Sequence, residues 1–330
     1  MAVPIFFQFG TMHPSKEDTG NLCTLDALVP QIYANVGAFF APYFILNDEH
    51  FRSRILSACQ GYETPTLRME SPDVGVLQYP VSHGRFLDNI GEIYSIKSSQ
   101  IQRIMAEAIG KYRDPVQIIL GGDHSVASPG LAALLKRVDP KDVGVIMIDS
   151  HGDIHNIETS PSGNFHGMWL RQHVDPKGIG VSSFDKYTQE KLPLENLLYV
   201  GNLNLEPAEA EYIRDNRIKV VSKLDIMQNQ AAALKVVTDF INRYKHVHIS
   251  MDIDAIHRRD APGTGLPADD GLELDQVFPI LDYARILHEQ GKISISSDLT
   301  EIYPEKDTNG KTVRSGRELL CTLLNAPRLW

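Results

Sequence analysis

Residues 143–153 read VGVIMIDSHGD. Six residues with almost no polarity end abruptly in Asp149, Ser150, His151, Gly152 and Asp153. An unbroken apolar, β-branched run of this length fits a parallel strand covered on both faces, because neither face alternates with polar side chains. Similar runs occur at 116–120 (VQIIL), 197–201 (LLYVG), 219–222 (KVVS), 246–254 (HVHISMDID) and 293–299 (ISISSDL), with an earlier one at 73–78 (DVGVLQ). Amphipathic stretches at 94–113, 126–137, 207–216, 230–244, 274–289 and 313–324 separate them. This alternation predicts an α/β sandwich built on a mainly parallel sheet.

The chain has 330 residues, the length of about two average domains or one large α/β domain. Hydrophobic residues make up 42% and charged residues 22%, the balance of a globular protein and not of a disordered one. Asp and Glu number 42 against 32 Lys and Arg, a formal charge of −10, which argues against non-specific binding to nucleic acid or to an acidic membrane. Three scattered cysteines, Cys23, Cys59 and Cys321, support neither a disulfide framework nor a thiolate zinc site. No run approaches the ~18 apolar residues of a membrane helix, and the first residues, MAVPIFFQFG, lack the pattern of a signal peptide. A cytoplasmic protein is expected, with organelle targeting left open.

Polar residues collect where the strands end. The run at 116–120 leads into Gly121, Gly122, Asp123 and His124. The run at 143–149 leads into His151 and Asp153, the run at 246–254 ends in Asp252 and Asp254, and the run at 293–299 leads into Asp298 and Glu301. In an open α/β sheet, ligands bind beyond the carboxyl ends of the strands, so these clusters should converge on one site. If the chain stays extended, the period of two puts Asp149, His151 and Asp153 on one face, and Asp252 and Asp254 likewise. Two glycines before His124 would let the backbone turn tightly. Two imidazoles and four carboxylates without sulfur suit Mn²⁺, with Zn²⁺ or Fe²⁺ less favoured. Four buried carboxylates without cations would be strongly destabilising; two divalent ions would neutralise them.

The segments GGDHS (121–125), DSHGD (149–153) and SMDID (250–254) resemble the three signature motifs of the ureohydrolases: arginases, agmatinases, formimidoylglutamases and relatives. The resemblance extends from about Gly121 to Glu301. It implies a three-layer α/β/α sandwich, a single domain over residues 1–330, assembly as a homotrimer or homohexamer, and hydrolysis of a small guanidino or related C–N substrate. It implies two manganese ions per chain held by His124, Asp149, His151, Asp153, Asp252 and Asp254. Only Ser150, where Ala is usual, departs from the second motif. The stretch SGNFHG (162–167) is most like arginases, which convert arginine to ornithine and urea. There Ser162 and Asn164 match residues that hold the amino-acid end of the substrate, and His166 matches a proton-transfer histidine. Glu301 matches the carboxylate that anchors the guanidinium, and Asp153 the ligand that also carries a proton to the leaving amine.

The substrate rim departs from the arginase pattern. His155 replaces an asparagine, Glu206 an aspartate that meets the α-amino group, and Leu266 a threonine. His257, Arg258 and Arg259 replace an Asp-Pro stretch. The resemblance therefore implies weak or modified arginase activity, with agmatine, another guanidino acid or formimidoylglutamate as alternatives, and a metal-binding relative without catalysis as a reading of another class. No phosphate loop, dinucleotide fingerprint or nucleophile elbow is present. His246 and His248 alternate within a strand and read as structural.

Overall fold

The computed structural model describes residues 3–8, 54, 66–68, 83–112, 115–201 and 203–326. The strand expected at 73–78, together with Cys23 and Cys59, lies outside the described residues. The strands are β1 (Val3–Gln8), β2 (Thr66–Arg68), β3 (Pro115–Leu120), β4 (Val143–Ile148), β5 (Leu197–Gly201), β6 (Lys219–Ser222), β7 (His246–Asp252) and β8 (Ser294–Thr300). They form one eight-stranded sheet in the order β2-β1-β3-β8-β7-β4-β5-β6, with every pairing parallel. The mainly parallel sheet read from the apolar runs is therefore present, extended at one edge by β1 and β2. Those two were not anticipated: VPIFFQ becomes a strand through its pairing with residues 115–120, more than a hundred positions away.

The helices are α1 (His83–Lys111), α2 (Ala127–Leu135), α3 (Trp169–Val174), α4 (Ser182–Asp185), α5 (Pro207–Asp215), α6 (Lys223–Gln228), α7 (Gln230–Ile241), α8 (Leu274–Glu289) and α9 (Lys311–Leu323). Strand alternation sorts them into two layers. Val116, Ile118, Ile146, Ile148, Leu198, Val247 and Ile249 pack in one cluster with α7, α8 and α9. Val143, Val145, Met147, Leu197 and Tyr199 pack with α1, α2 and α3 on the other face. The result is helix, sheet, helix.

The order of the strands explains where the site forms. The chain leaves β3, passes to β4, β5 and β6, and returns to fill the gap with β7 and β8. The four central strands, β3, β8, β7 and β4, thus present adjacent carboxyl ends at the point where the winding reverses, the crevice that parallel α/β sheets use for ligands. On β7 the period of two separates Val247, Ile249 and Met251 from His246, His248 and Ser250, and all six are buried. The polar set faces Ser296 and Asp298 of β8, in register with His248 and Ser250.

Gly121 matters through close approach. Neither Gly121 nor Gly122 has positive φ. A Cβ on Gly121 would stand 1.9 Å from Val126 Cγ2, so the missing side chain lets the turn after β3 pack against the helix that follows. Gly121→Ala should cost about 1–3 kcal/mol of stability through overpacking. Val126→Ala in the same chain should offset part of that loss, as a double-mutant cycle of denaturation midpoints would measure. A Gly121→Ala protein within about 0.5 kcal/mol of wild type would contradict this account.

Candidate metal centre

The three motifs meet above β3, β4 and β7, but not through extended chain. β4 ends at Ile148, and Asp153 turns sharply at φ 50°. Asp252 closes β7, and Asp254 lies in a 3-10 helix, Ile253–Ala255, that Asp252 caps by accepting from the Asp254 amide at 2.9 Å. His124 opens another 3-10 helix, capped by Asp123. Short capped turns therefore gather the ligands where a period of two was expected to.

Ser150, the departure in the second motif, ties that motif to the third. Its hydroxyl donates to the Asp254 carbonyl at 3.0 Å. The His151 amide donates to Asp149 Oδ1 at 2.7 Å, and Tyr199 OH donates to the Gly152 carbonyl at 2.5 Å. A Cβ at Gly201 would stand 2.2 Å from the Asp149 carbonyl, so the end of β5 can pass only as glycine.

His124 Nδ1 lies 2.9 Å from Asp153 Oδ2, 3.1 Å from Asp149 Oδ2 and 3.4 Å from Asp252 Oδ2. His151 Nδ1 lies 3.0 Å from Asp254 Oδ2 and 3.7 Å from Asp149 Oδ1. The donor atoms of His124, Asp149 and Asp153 all fall within 4.8 Å of one another, and so do those of Asp149, His151 and Asp254. Two triads thus share Asp149. His124 Nδ1 and Asp149 Oδ2 are buried and make no hydrogen bond of proper geometry, despite their proximity. Buried donor atoms aimed at one point without bonding each other fit a set of ligands around a cation.

The tautomer of His124 follows from its other nitrogen. Ser250 Oγ donates to Asp298 Oδ1 at 2.9 Å, because a carboxylate only accepts. Ser250 Oγ must then accept from His124 Nε2–H, also at 2.9 Å, which turns Nδ1 toward the carboxylates. Asp298 is held in turn by His248 Nε2 at 2.9 Å. His248 Nδ1 and His246 Nε2 both meet Ser296 Oγ at 2.9 Å. His246 and His248 are buried in the sheet, and His248 braces Asp298, which holds the Ser250 hydroxyl that meets His124.

Charge and burial pull against each other. Burial first, and then the Asp153 charge, push Asp149 up to about 7. Burial and neighbouring carboxylates likewise raise Asp252 and Glu301 well above the ordinary range. Burial would depress His151, yet the hydrogen bond to Asp254 and the surrounding acids carry it up to about 11. Burial would raise Asp298, but His124 and His248 hold it down to about 2. The protein concentrates negative charge that its own histidines only partly balance.

Above the triads lies an open cleft of about 330 Å³. Its walls include Asp153, Glu206, Glu209, Asp252, Asp254 and Glu301, and no Lys or Arg among the described residues. His166, Ser162, His155 and Leu266 also reach it. Asn164 does not: it is buried and caps the 3-10 helix Phe165–Met168, and its amide donates to Ser162 Oγ at 3.1 Å. Glu301 sits at φ 60° with Oε1 accepting from the His124 amide at 2.9 Å. Asp153 and Glu301 thus both hold left-handed backbone, a strain of order 1–3 kcal/mol each that clusters at functional sites.

His155 and Glu206, two departures from the arginase pattern, are partners: His155 Nε2 lies 2.8 Å from Glu206 Oε2. Sequence reading missed Glu209, which is buried 3.8 Å from the same nitrogen; its signal was the capping-box spacing Glu206 to Glu209 at the start of α5. Arg258 and Arg259 pair with Asp269 and Glu273 on the exposed surface. Burial pushes the Cys321 thiol up to about 12, which makes it a poor nucleophile. No helix among the described residues is long and apolar enough to cross a membrane.

Comparison with known proteins shows the family and the fold. The model of the Arginase family matches residues 33–325. Arginase from Bacillus subtilis is 30% identical over 256 residues, covering 76% of this chain and 82% of the relative. Arginase from Staphylococcus aureus is 31% identical over 268 residues, covering 78% and 84%. The crystal structure of arginase from Bacillus cereus superposes with a TM-score of 0.75 at 24% identity, covering 99% of each chain. Members of this family are metal-dependent hydrolases of guanidino C–N bonds. The chain belongs to the arginase family and is a ureohydrolase of the three-layer α/β/α fold.

Proposed function

We propose that the protein hydrolyses a guanidino amino acid, with arginine the first candidate, using two Mn²⁺ ions per chain. The observation that carries this reading is the pair of triads sharing Asp149 at the floor of a cleft lined by six carboxylates and no Lys or Arg. His124, Asp149, Asp153 and Asp252 would hold one ion, and Asp149, His151 and Asp254 the other. Oxygen and imidazole donors without sulfur suit Mn²⁺. When bound, the pair lowers the pKa of water and stabilises developing negative charge.

The chain's own residues supply the rest. Asp153 takes the proton of the attacking water and passes it to the leaving nitrogen. Glu301 pairs with the guanidinium by charge-assisted hydrogen bonds. His166 exchanges protons with solvent, since imidazole titrates near neutrality. Glu206 receives the α-ammonium, while Ser162 and His155 meet the carboxylate, and Asn164 supports the turn that presents Ser162. The acidic lining suits a cationic substrate and opposes formimidoylglutamate, which carries two carboxylates.

Urea release by the Mn²⁺-loaded protein tests the substrate. Arginine should be turned over faster than agmatine, which keeps the amine but lacks the carboxylate. Agmatine turnover above arginine would remove the head-group assignment, and full ion occupancy with no turnover of any guanidino compound would remove catalysis. His166→Ala should lower kcat by about 10²–10⁴-fold while metal content stays unchanged.

The electrostatics predict a pH dependence. Asp149, raised to about 7, and His151, raised to about 11, keep protons in the folded metal-free protein that the unfolded chain releases. A group that binds protons more tightly when folded loses its stabilising contribution as pH rises. The metal centre's contribution to the stability of the metal-free protein should therefore fall from pH 5 to pH 8. Cations displace those protons, so the rise in Tm on adding Mn²⁺ should grow over the same range. A rise that shrinks with pH would contradict the ligand set.

A further inference from the structure

Trp169 is a large, fully buried side chain at the first position of α3. A buried indole needs a partner for its N–H, and an aliphatic or phenyl side chain would fill an apolar core without that demand. Here the partner belongs to the metal centre. Trp169 Nε1–H donates to Asp153 Oδ2 at 3.0 Å, the same oxygen that stands 2.9 Å from His124 Nδ1. The indole ring also lies against the His124 imidazole, with centroids 5.1 Å apart and planes tilted by 50°.

The next residue completes a clamp. The Leu170 amide donates to the Asp153 carbonyl at 3.2 Å. Consecutive residues at the start of α3 therefore hold both the main chain and the side chain of a residue whose φ of 50° is uncommon outside glycine. The backbone bond fixes where Asp153 turns. The indole bond fixes the rotation of its carboxylate.

We infer that Trp169 is a positioning residue for the metal centre: its N–H holds Asp153 Oδ2 toward His124 and Asp149, leaving Oδ1 to handle the proton. This rests on the reading of Asp153 as ligand and proton carrier given above. The indole does not touch substrate and acts only through Asp153 and His124.

Trp169→Phe keeps a ring against His124 and removes the donor. Its Kd for Mn²⁺ should rise about 10–100-fold, the usual effect of losing a group that orients a ligand. Its visible spectrum with Co²⁺ at full occupancy should shift, because the ligand field changes. Tyr187→Phe is the control. Tyr187 is buried in the same core and its hydroxyl meets Ser128 Oγ at 2.9 Å instead of a carboxylate of the metal centre, so the control should lower Tm while leaving both readouts unchanged. Wild-type Kd and spectrum in Trp169→Phe would overturn the inference, as would an equal loss in Tyr187→Phe.

If Trp169→Phe does not fold, the native side chain still reports. The chain has two tryptophans, Trp169 and Trp330, so Trp330→Phe assigns the ¹⁵N-indole resonance. Diamagnetic Cd²⁺ should shift that resonance; an unmoved one would overturn the inference. Neither readout depends on turnover, so a protein that binds Mn²⁺ and hydrolyses nothing would count against the substrate reading alone.

Discussion

The constraint on which the rest depends is the burial of carboxylates at the adjacent ends of four parallel strands. Asp149, Asp252, Asp298 and Glu301 are all less than a tenth exposed, and together with Asp153 and Asp254 they crowd two histidines. Such a set is stable only if charge is neutralised by protons, imidazolium or metal. The strand order places it: β7 and β8 return to lie between β3 and β4, so ligands remote in sequence become neighbours. The polar seam of His246, His248, Ser250, Ser296 and Asp298 carries this order into the sheet itself, trading apolar packing for a hydrogen-bonded brace behind His124.

Much of this was legible in the sequence. The unbroken apolar runs identified the parallel strands, and the six candidate ligand residues stood at their ends. The reason they converge was not legible. Extended spacing was expected to align Asp149, His151 and Asp153, whereas the chain leaves the strand at Ile148 and Asp153 adopts positive φ. Capped 3-10 turns at His124–Val126 and Ile253–Ala255 do that work, and their spacing resembles any short turn. Asp298 was singled out, but its bond to Ser250 was hidden because their meeting depends on the register of β7 against β8. Trp169 was hidden because it returns to Asp153 across a loop with no periodic signal. β1 was missed because its strand character comes from its partner.

The departures at the rim also take on meaning in pairs. Glu206 and His155, both read from the sequence as departures from the arginase pattern, meet at 2.8 Å. Glu206 adds a carboxylate to the cleft wall, and His155 is held between Thr159 Oγ1 at 3.1 Å and Glu206 Oε2 at 2.8 Å. Leu266, 66% exposed, offers only apolar surface at the lip. The buried floor of the cleft carries the two triads, while its mouth carries Glu206, His155 and the exposed Leu266.

The sharing of Asp149 between the two triads is the central claim, and ion stoichiometry after equilibrium dialysis tests it most directly. The wild-type protein should hold about two Mn²⁺ ions per chain, and His151→Asn should retain about one, because only its own triad is broken. Asp149→Asn should lose both. An Asp149→Asn protein that still holds one tightly bound ion would contradict the account.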